Sequence, residues 1–239
     1  LTLSPSQFER ALACPLRWFL TTIGADGPSN AAASLGTLIH AVAEEHPHGT
    51  PEELTEALEA RIEELGYNLD TWAGRVADRH ARDIVNNLAS YVVGVPGEVT
   101  VEQTVSAEVE GVTIRGRMDR LEQVDEGVRV TDLKTGKSGY TKASVAENPQ
   151  LAAYQMALLS SGEKVAGARI ALLGGSKPQI YDQPALQGEE LERWRESVRE
   201  VALSARGPYF EARPSQEACK YCSFDRLCPA RERGRKVVE

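Results

Sequence analysis

The stretch Gly116–Gly136, GRMDRLEQVDEGVRVTDLKTG, decides how this chain is read. It sets Asp119 in one strand-like segment and, after a short acidic turn, Asp132 and Lys134 in a second. Side chains at i and i+2 of a strand share a face, so Asp132 and Lys134 project together. If Glu126-Gly127 is a two-residue turn, Asp125 pairs with Val128, and Asp119 lies across from Lys134 and diagonal to Asp132. That register predicts Gly127 at positive φ. It also predicts Val112, Ile114, Met118, Arg129 and Thr131 pointing away from the carboxylates, with Val128 and Val130 on the carboxylate side.

Two converging carboxylates repel and stay ionised at neutral pH only beside compensating positive charge. Lys134 supplies part of it. A hard divalent cation, Mg²⁺ or Mn²⁺, would complete it through carboxylate oxygen. An arbitrary D-x-K is more often a surface ion pair, so the surrounding residues matter. Gly116 precedes Asp119, and Thr135-Gly136 follow Lys134. Gln150 and Tyr154 lie one helical turn apart downstream, as Gly36 and His40 do upstream.

Outward from this stretch the pattern changes twice. Before Pro96 it is helical: LSPSQFERALACP carries a Ser4/Gln7 capping signal with Pro5 at the first helical position. SLGTLIHAVAEE puts Leu35, Leu38, Ile39 and Val42 on one side, and two further helices are predicted near 51–65 and 70–91. DGPSN at 26–30 reads as a loop. From Val99 to Lys134 the period is two, with turn glycines at 111 and 127, which predicts three antiparallel strands. A helix starting at Pro149, a buried strand in KVAGARIALLGG and the amphipathic helix GEELERWRESVREVALSA follow. The sum is one α/β domain, divided as a helical front (1–95), a catalytic sheet with its helices (96–206) and a C-terminal segment (207–239).

The chain has 239 residues, 41% hydrophobic and 26% charged, which is a globular composition. Net charge is −8, whereas a free-standing nonspecific DNA binder is normally basic. No apolar run is long enough to span a membrane, and no signal-peptide layout opens the chain, so the expected location is the cytoplasm. The absent initiator Met implies processing or excision from a longer protein. Two decoys fall away. TGKSG lacks the leading glycine of a phosphate loop, since Thr131 stands there, and His46 and His48 sit beside Pro47 and Gly49 in a loop. The four cysteines, Cys14, Cys219, Cys222 and Cys228, are too few for a disulfide framework. Four thiolates suit either structural zinc or an iron–sulfur cluster.

GTLIH, GRMDR, DLKTGK and QLAAY, in that order, resemble the RecB-type branch of the PD-(D/E)XK nuclease superfamily. The resemblance implies a restriction-endonuclease-like core, a mixed central sheet flanked by helices. It implies that His40, Asp119, Asp132 and the carbonyl of Leu133 ligate Mg²⁺ or Mn²⁺. It makes Lys134 the catalytic lysine and assigns Gln150 and Tyr154 to a helical motif supporting the site. One N-terminal and three C-terminal cysteines are similar to the set holding a [4Fe-4S] cluster in AddB/AdnB-like nuclease domains, here a staple joining the termini. The expected partners are then DNA (single strands or processed ends), a helicase domain in the same polypeptide and a second helicase–nuclease subunit. Arg115, Arg117, Lys137, Lys142 and the Arg231–Lys236 tail would give local DNA contacts. The alternatives are a stand-alone RecB-like or CRISPR-associated exonuclease, a non-catalytic DNA-end-binding scaffold and a zinc-binding interaction domain.

Overall fold

The computed structural model describes residues 1–25, 35–62, 66–95, 97–220 and 222–235. The loop expected at 26–30, Pro96 and Lys236 lie outside the described residues. Helix α1 (Pro5–Ala13) starts as the sequence predicts. The Ser4 hydroxyl accepts from the Gln7 amide, the Gln7 side chain accepts from the Ser4 amide, and Pro5 fills the first turn. Cys14 ends α1 and, with Pro15 next, opens a second helix, α2 (Pro15–Thr22). Helices α3 (Leu35–Glu45), α4 (Pro51–Glu59) and α5 (Trp72–Val93) complete the front.

The sheet is mixed. The long strands β2 (Val99–Val109) and β3 (Val112–Val124) are antiparallel, and β3 turns back into β4 (Gly127–Lys134). After α6 (Lys142–Ala146) and α7 (Pro149–Ser160), β5 (Val165–Leu172) lies parallel to β4. The short edge strand β6 (Gln179–Pro184) and the two-residue β1 (Thr2–Leu3), neither anticipated from sequence, pair with β5 and β3 respectively. Then come α8 (Gly188–Arg206), α9 (Gln216–Lys220) and α10 (Glu232–Arg235). Two apolar clusters cover the sheet faces. One packs Phe8, Leu151, Tyr154, Trp194 and Val198 onto Val112, Ile114, Met118, Val128 and Val130. The other packs Leu38, Ile39, Leu54, Leu58, Ile84 and Leu88 onto Leu133, Ala171 and Leu173. Among the described residues no helix is long and apolar enough to cross a membrane.

The hairpin differs from the sequence expectation by two residues. Val124 pairs with Gly127 and Arg120 with Thr131, so the turn is Asp125-Glu126. Gly127 does hold φ +136°, but as the first strand residue, where a Cβ would lie 2.0 Å from the Lys164 carbonyl oxygen. The glycine is needed for this close approach of β5 rather than for the tip. A slip of two preserves faces. Continued past Arg120, the register aims Asp119 at Asp132 and not at Lys134.

A second correction concerns the faces. Val112, Ile114 and Met118 share a core with Val128 and Val130, whereas Arg120 and Glu122 sit on the opposite side. There the Tyr91 hydroxyl donates to Glu122 (2.6 Å), and Arg129 also bonds Glu122, at 3.1 Å. Alternation therefore breaks between Met118 and Arg120. The residue facing the break on β2 is Glu102, at φ 53°, and the β2–β3 ladder skips that pair. A positive φ at a non-glycine residue is strained and clusters at functional sites. Gly127→Ala should therefore lower stability by roughly 2 kcal/mol or more through backbone strain and the Lys164 clash. A shift in the urea midpoint would report it.

Candidate active site

One edge of β3 is shared by two short partners. β1 pairs at Thr113 and Ile114, and β4 pairs only from Arg120 onward. Between them Gly116–Asp119 meets neither strand, and the backbone groups this gap leaves over are satisfied by side chains. The Tyr154 hydroxyl donates to the Arg117 carbonyl (2.7 Å), and the Asp119 carboxylate accepts from the Leu133 amide (2.7 Å). Gly116 is required at the fork: a Cβ there would meet the Pro5 ring at 2.6 Å and the Tyr154 ring at 3.0 Å.

The fork brings the acidic residues together. Asp119 Oδ1 lies 3.3 Å from His40 Nδ1 on α3. Asp132, 5% exposed, accepts from Gln150 Nε2 at 2.9 Å through Oδ1. Asp132 Oδ2 faces Lys134 Nζ at 2.8 Å, but without the alignment of a directional hydrogen bond, and has no other donor. The ammonium is the one charged partner of this buried oxygen among the described residues. His40, Glu102 and Asp119 each offer a ligand atom within 4.8 Å of the others. The sequence reading missed Glu102. Its strand reads as ordinary alternation, and only the positive φ opposite Asp119 turns it toward the fork. Its carboxylate also pairs with Arg117, which in turn reaches Glu44 at 2.9 Å. Arg117 is thus already engaged by two acids.

Electrostatics follow from burial. Burial pushes the Asp132 carboxyl up, and this outweighs the nearby Lys134 ammonium. Burial pulls on Lys134 in the opposite sense, but Asp132 outweighs it and holds the ammonium charged. The His40 imidazole is raised first by its hydrogen bond to Asp119, with burial opposing. Glu102 is raised by burial, with Arg117 opposing. The pattern is an acidic pocket, buried at Asp132 and half-buried at His40, Glu102 and Asp119.

The cysteine set is less compact. Cys14, Cys219, Cys222 and Cys228 are half-buried free thiols. Arg17 donates to the Ala218 carbonyl (2.8 Å), the Leu16 amide to the Glu211 carbonyl (3.0 Å), and Phe19 stacks on Phe210 at 4.1 Å. These contacts bring the α1–α2 junction to the C-terminal segment. Among the described residues no three thiol sulfurs lie within 4.8 Å of one another. Ligands about 2.3 Å from a single zinc would sit closer than that.

The chain belongs to the PD-(D/E)XK nuclease superfamily, whose sequence profile matches residues 2–229. It is similar to the Gene 69 protein of Mycobacterium phage D29, at 26% identity covering 95% of this chain and 96% of that protein. Among solved structures it is similar to SSO0001 (15% identity, TM-score 0.48, 96% of this chain and 86% of that one). It is also similar to a predicted exonuclease of Eubacterium rectale (16% identity, TM-score 0.48, 84% and 77%). The mixed sheet flanked by helices agrees with the restriction-endonuclease-like core that the sequence implies.

Proposed function

We propose that this chain is a Mg²⁺- or Mn²⁺-dependent deoxyribonuclease that works from DNA ends. The carrying observation is the fork that gathers ligand atoms of His40, Glu102 and Asp119 within 4.8 Å of one another, beside Asp132 buried against the Lys134 ammonium. This donor set, oxygen-rich with one imidazole, fits a hard divalent ion. His40, Asp119, Asp132 and the Leu133 carbonyl would hold it, with Glu102 added to the set the sequence suggested. When bound, such an ion supplies Lewis acidity to the phosphodiester and lowers the pKa of a water. The rest falls to the chain's own groups. Gln150 fixes the rotation of the Asp132 carboxylate through Oδ1. Lys134, kept charged by Asp132, is placed to bind a phosphoryl oxygen as charge develops. Tyr154 locks the Arg117 carbonyl and so the geometry of the fork.

The reading extends to context. Cys14, Cys219, Cys222 and Cys228 would hold a [4Fe-4S] cluster that joins the termini. The net charge of −8 is an argument for a helicase domain and a partner subunit supplying DNA affinity, in a cytoplasmic machine that resects broken ends. End dependence is tested by comparing linear with closed-circular single strands in Mn²⁺. Linear DNA should be degraded and circles spared; equal loss of both would contradict an exonuclease.

Proton linkage gives an independent check. Because the His40 pKa is raised, its contribution to metal-free stability is complete below about pH 6.5 and is lost as pH rises through the folded value. Metal binding needs the neutral imidazole. From pH 6 to 8 the metal-free melting temperature should therefore lose the His40 contribution, while stabilisation by added Mn²⁺ should grow (the range brackets the ordinary imidazole value). Melts of His40→Asn should show neither trend.

A further inference from the structure

A pocket of about 330 Å³ lies on the outer side of α1, between the fork and the cysteine segment, lined by Ser6, Glu9, Arg10, Ala13, Arg17 and Ala218. Its walls come from three elements. Ser6, Glu9, Arg10 and Ala13 are on α1, Arg17 is on α2 and Ala218 is on α9. Both arginines are half-buried, and Arg17 is held by its 2.8 Å bond to the Ala218 carbonyl. A guanidinium held by protein contacts presents its donors in set directions, which suits phosphate oxygens. Among the described residues Glu9 is the one acid in the wall. It lies within electrostatic reach of Arg10, Arg17, Lys134 and Asp132, which places the pocket beside the proposed scissile position. Two guanidinium groups against one carboxylate make the described lining net positive on a protein of net charge −8. α1 does not float relative to the fork, because Pro5 packs on the bare Gly116 Cα.

We propose that this pocket is a phosphate subsite, in which Arg10 and Arg17, with the Ser6 hydroxyl, grip a phosphate of the DNA strand adjacent to the one being cut. This rests on the nuclease reading above but concerns binding, which can be measured without turnover. The phosphate has two sources, an internal backbone phosphate or a terminal one. An enzyme working from ends gains register from either.

The test uses Arg10→Gln and Arg17→Gln in a Lys134→Ala background, with the affinity for labelled single strands followed by anisotropy across a salt series. The strands are 5′-phosphorylated, 3′-phosphorylated, unphosphorylated linear and circular. Each substitution should raise Kd about tenfold, and the two together should reduce the slope of log affinity against log salt by about 0.7, the value for one lost single-strand phosphate contact. A loss confined to one phosphorylated end assigns a terminal phosphate, and an equal loss on all four strands assigns an internal one; both support the subsite. Unchanged Kd and salt slope in Arg10→Gln overturns it. Arg10→Gln decides the matter if Arg17→Gln fails to fold, since it leaves the Arg17 bond to the C-terminal segment in place. Binding that tracks both arginines in a protein whose parent cuts no DNA would sink the nuclease reading and spare the subsite.

Discussion

Lys134→Ala should lower DNA hydrolysis by at least about a thousandfold while leaving the fold and most DNA affinity intact. The ammonium sits 2.8 Å from the buried Asp132 Oδ2. Its charge is needed chiefly as the phosphoryl group gains charge, so the loss should appear in kcat and not in KM. Asp132→Ala and Asp119→Ala should reach the same floor by a different route, because each also removes a carboxylate from the metal set and weakens Mn²⁺ binding. Single-turnover cleavage of labelled DNA separates the cases. Substantial cleavage surviving in all three variants would remove this fork from the chemistry.

The second large effect is expected at Cys14. It stands alone at the helix junction, more than 200 residues before its nearest fellow cysteine, Cys219. A cross-link over so long a loop removes much denatured-state entropy. Cys14→Ser should therefore cost roughly 3–5 kcal/mol and lower the melting temperature of the whole domain, without changing which DNA ends are cut. Protein purified without oxygen should be coloured and carry iron far in excess of zinc. A colourless, folded protein with one zinc and no iron would dispose of the cluster. Cys14→Ser melting like the parent would dispose of the staple.

Most of the fold was legible because its signals are local. Capping at Ser4, the proline at 149, and period-two apolar spacing in β3 and β4 are all set by nearest neighbours in sequence. The parts that escaped are set by distant contacts. Gly127 reads as a turn residue, yet its positive φ answers to Lys164, a strand away. β1 is two residues long and exists only because β3 offers an open edge at Thr113–Ile114. Glu102 looks like any charged strand residue until the ladder breaks opposite Asp119. The parity argument survived the hairpin error because a slip of two keeps Asp119 and Asp132 on a common side. The face assignment of Val112, Ile114 and Met118 failed because alternation does not continue through the break.

The most direct measurement is the position of the metal itself. Crystals grown with Mn²⁺ should give an anomalous peak about 2.2 Å from carboxylate oxygens of both Asp119 and Asp132, with His40 in the same shell. Asp132 Oδ2, 2.8 Å from the Lys134 ammonium, should be the oxygen shared between the lysine and the ion. A peak elsewhere, or Asp119 and Asp132 left unliganded at saturating Mn²⁺, would contradict the account.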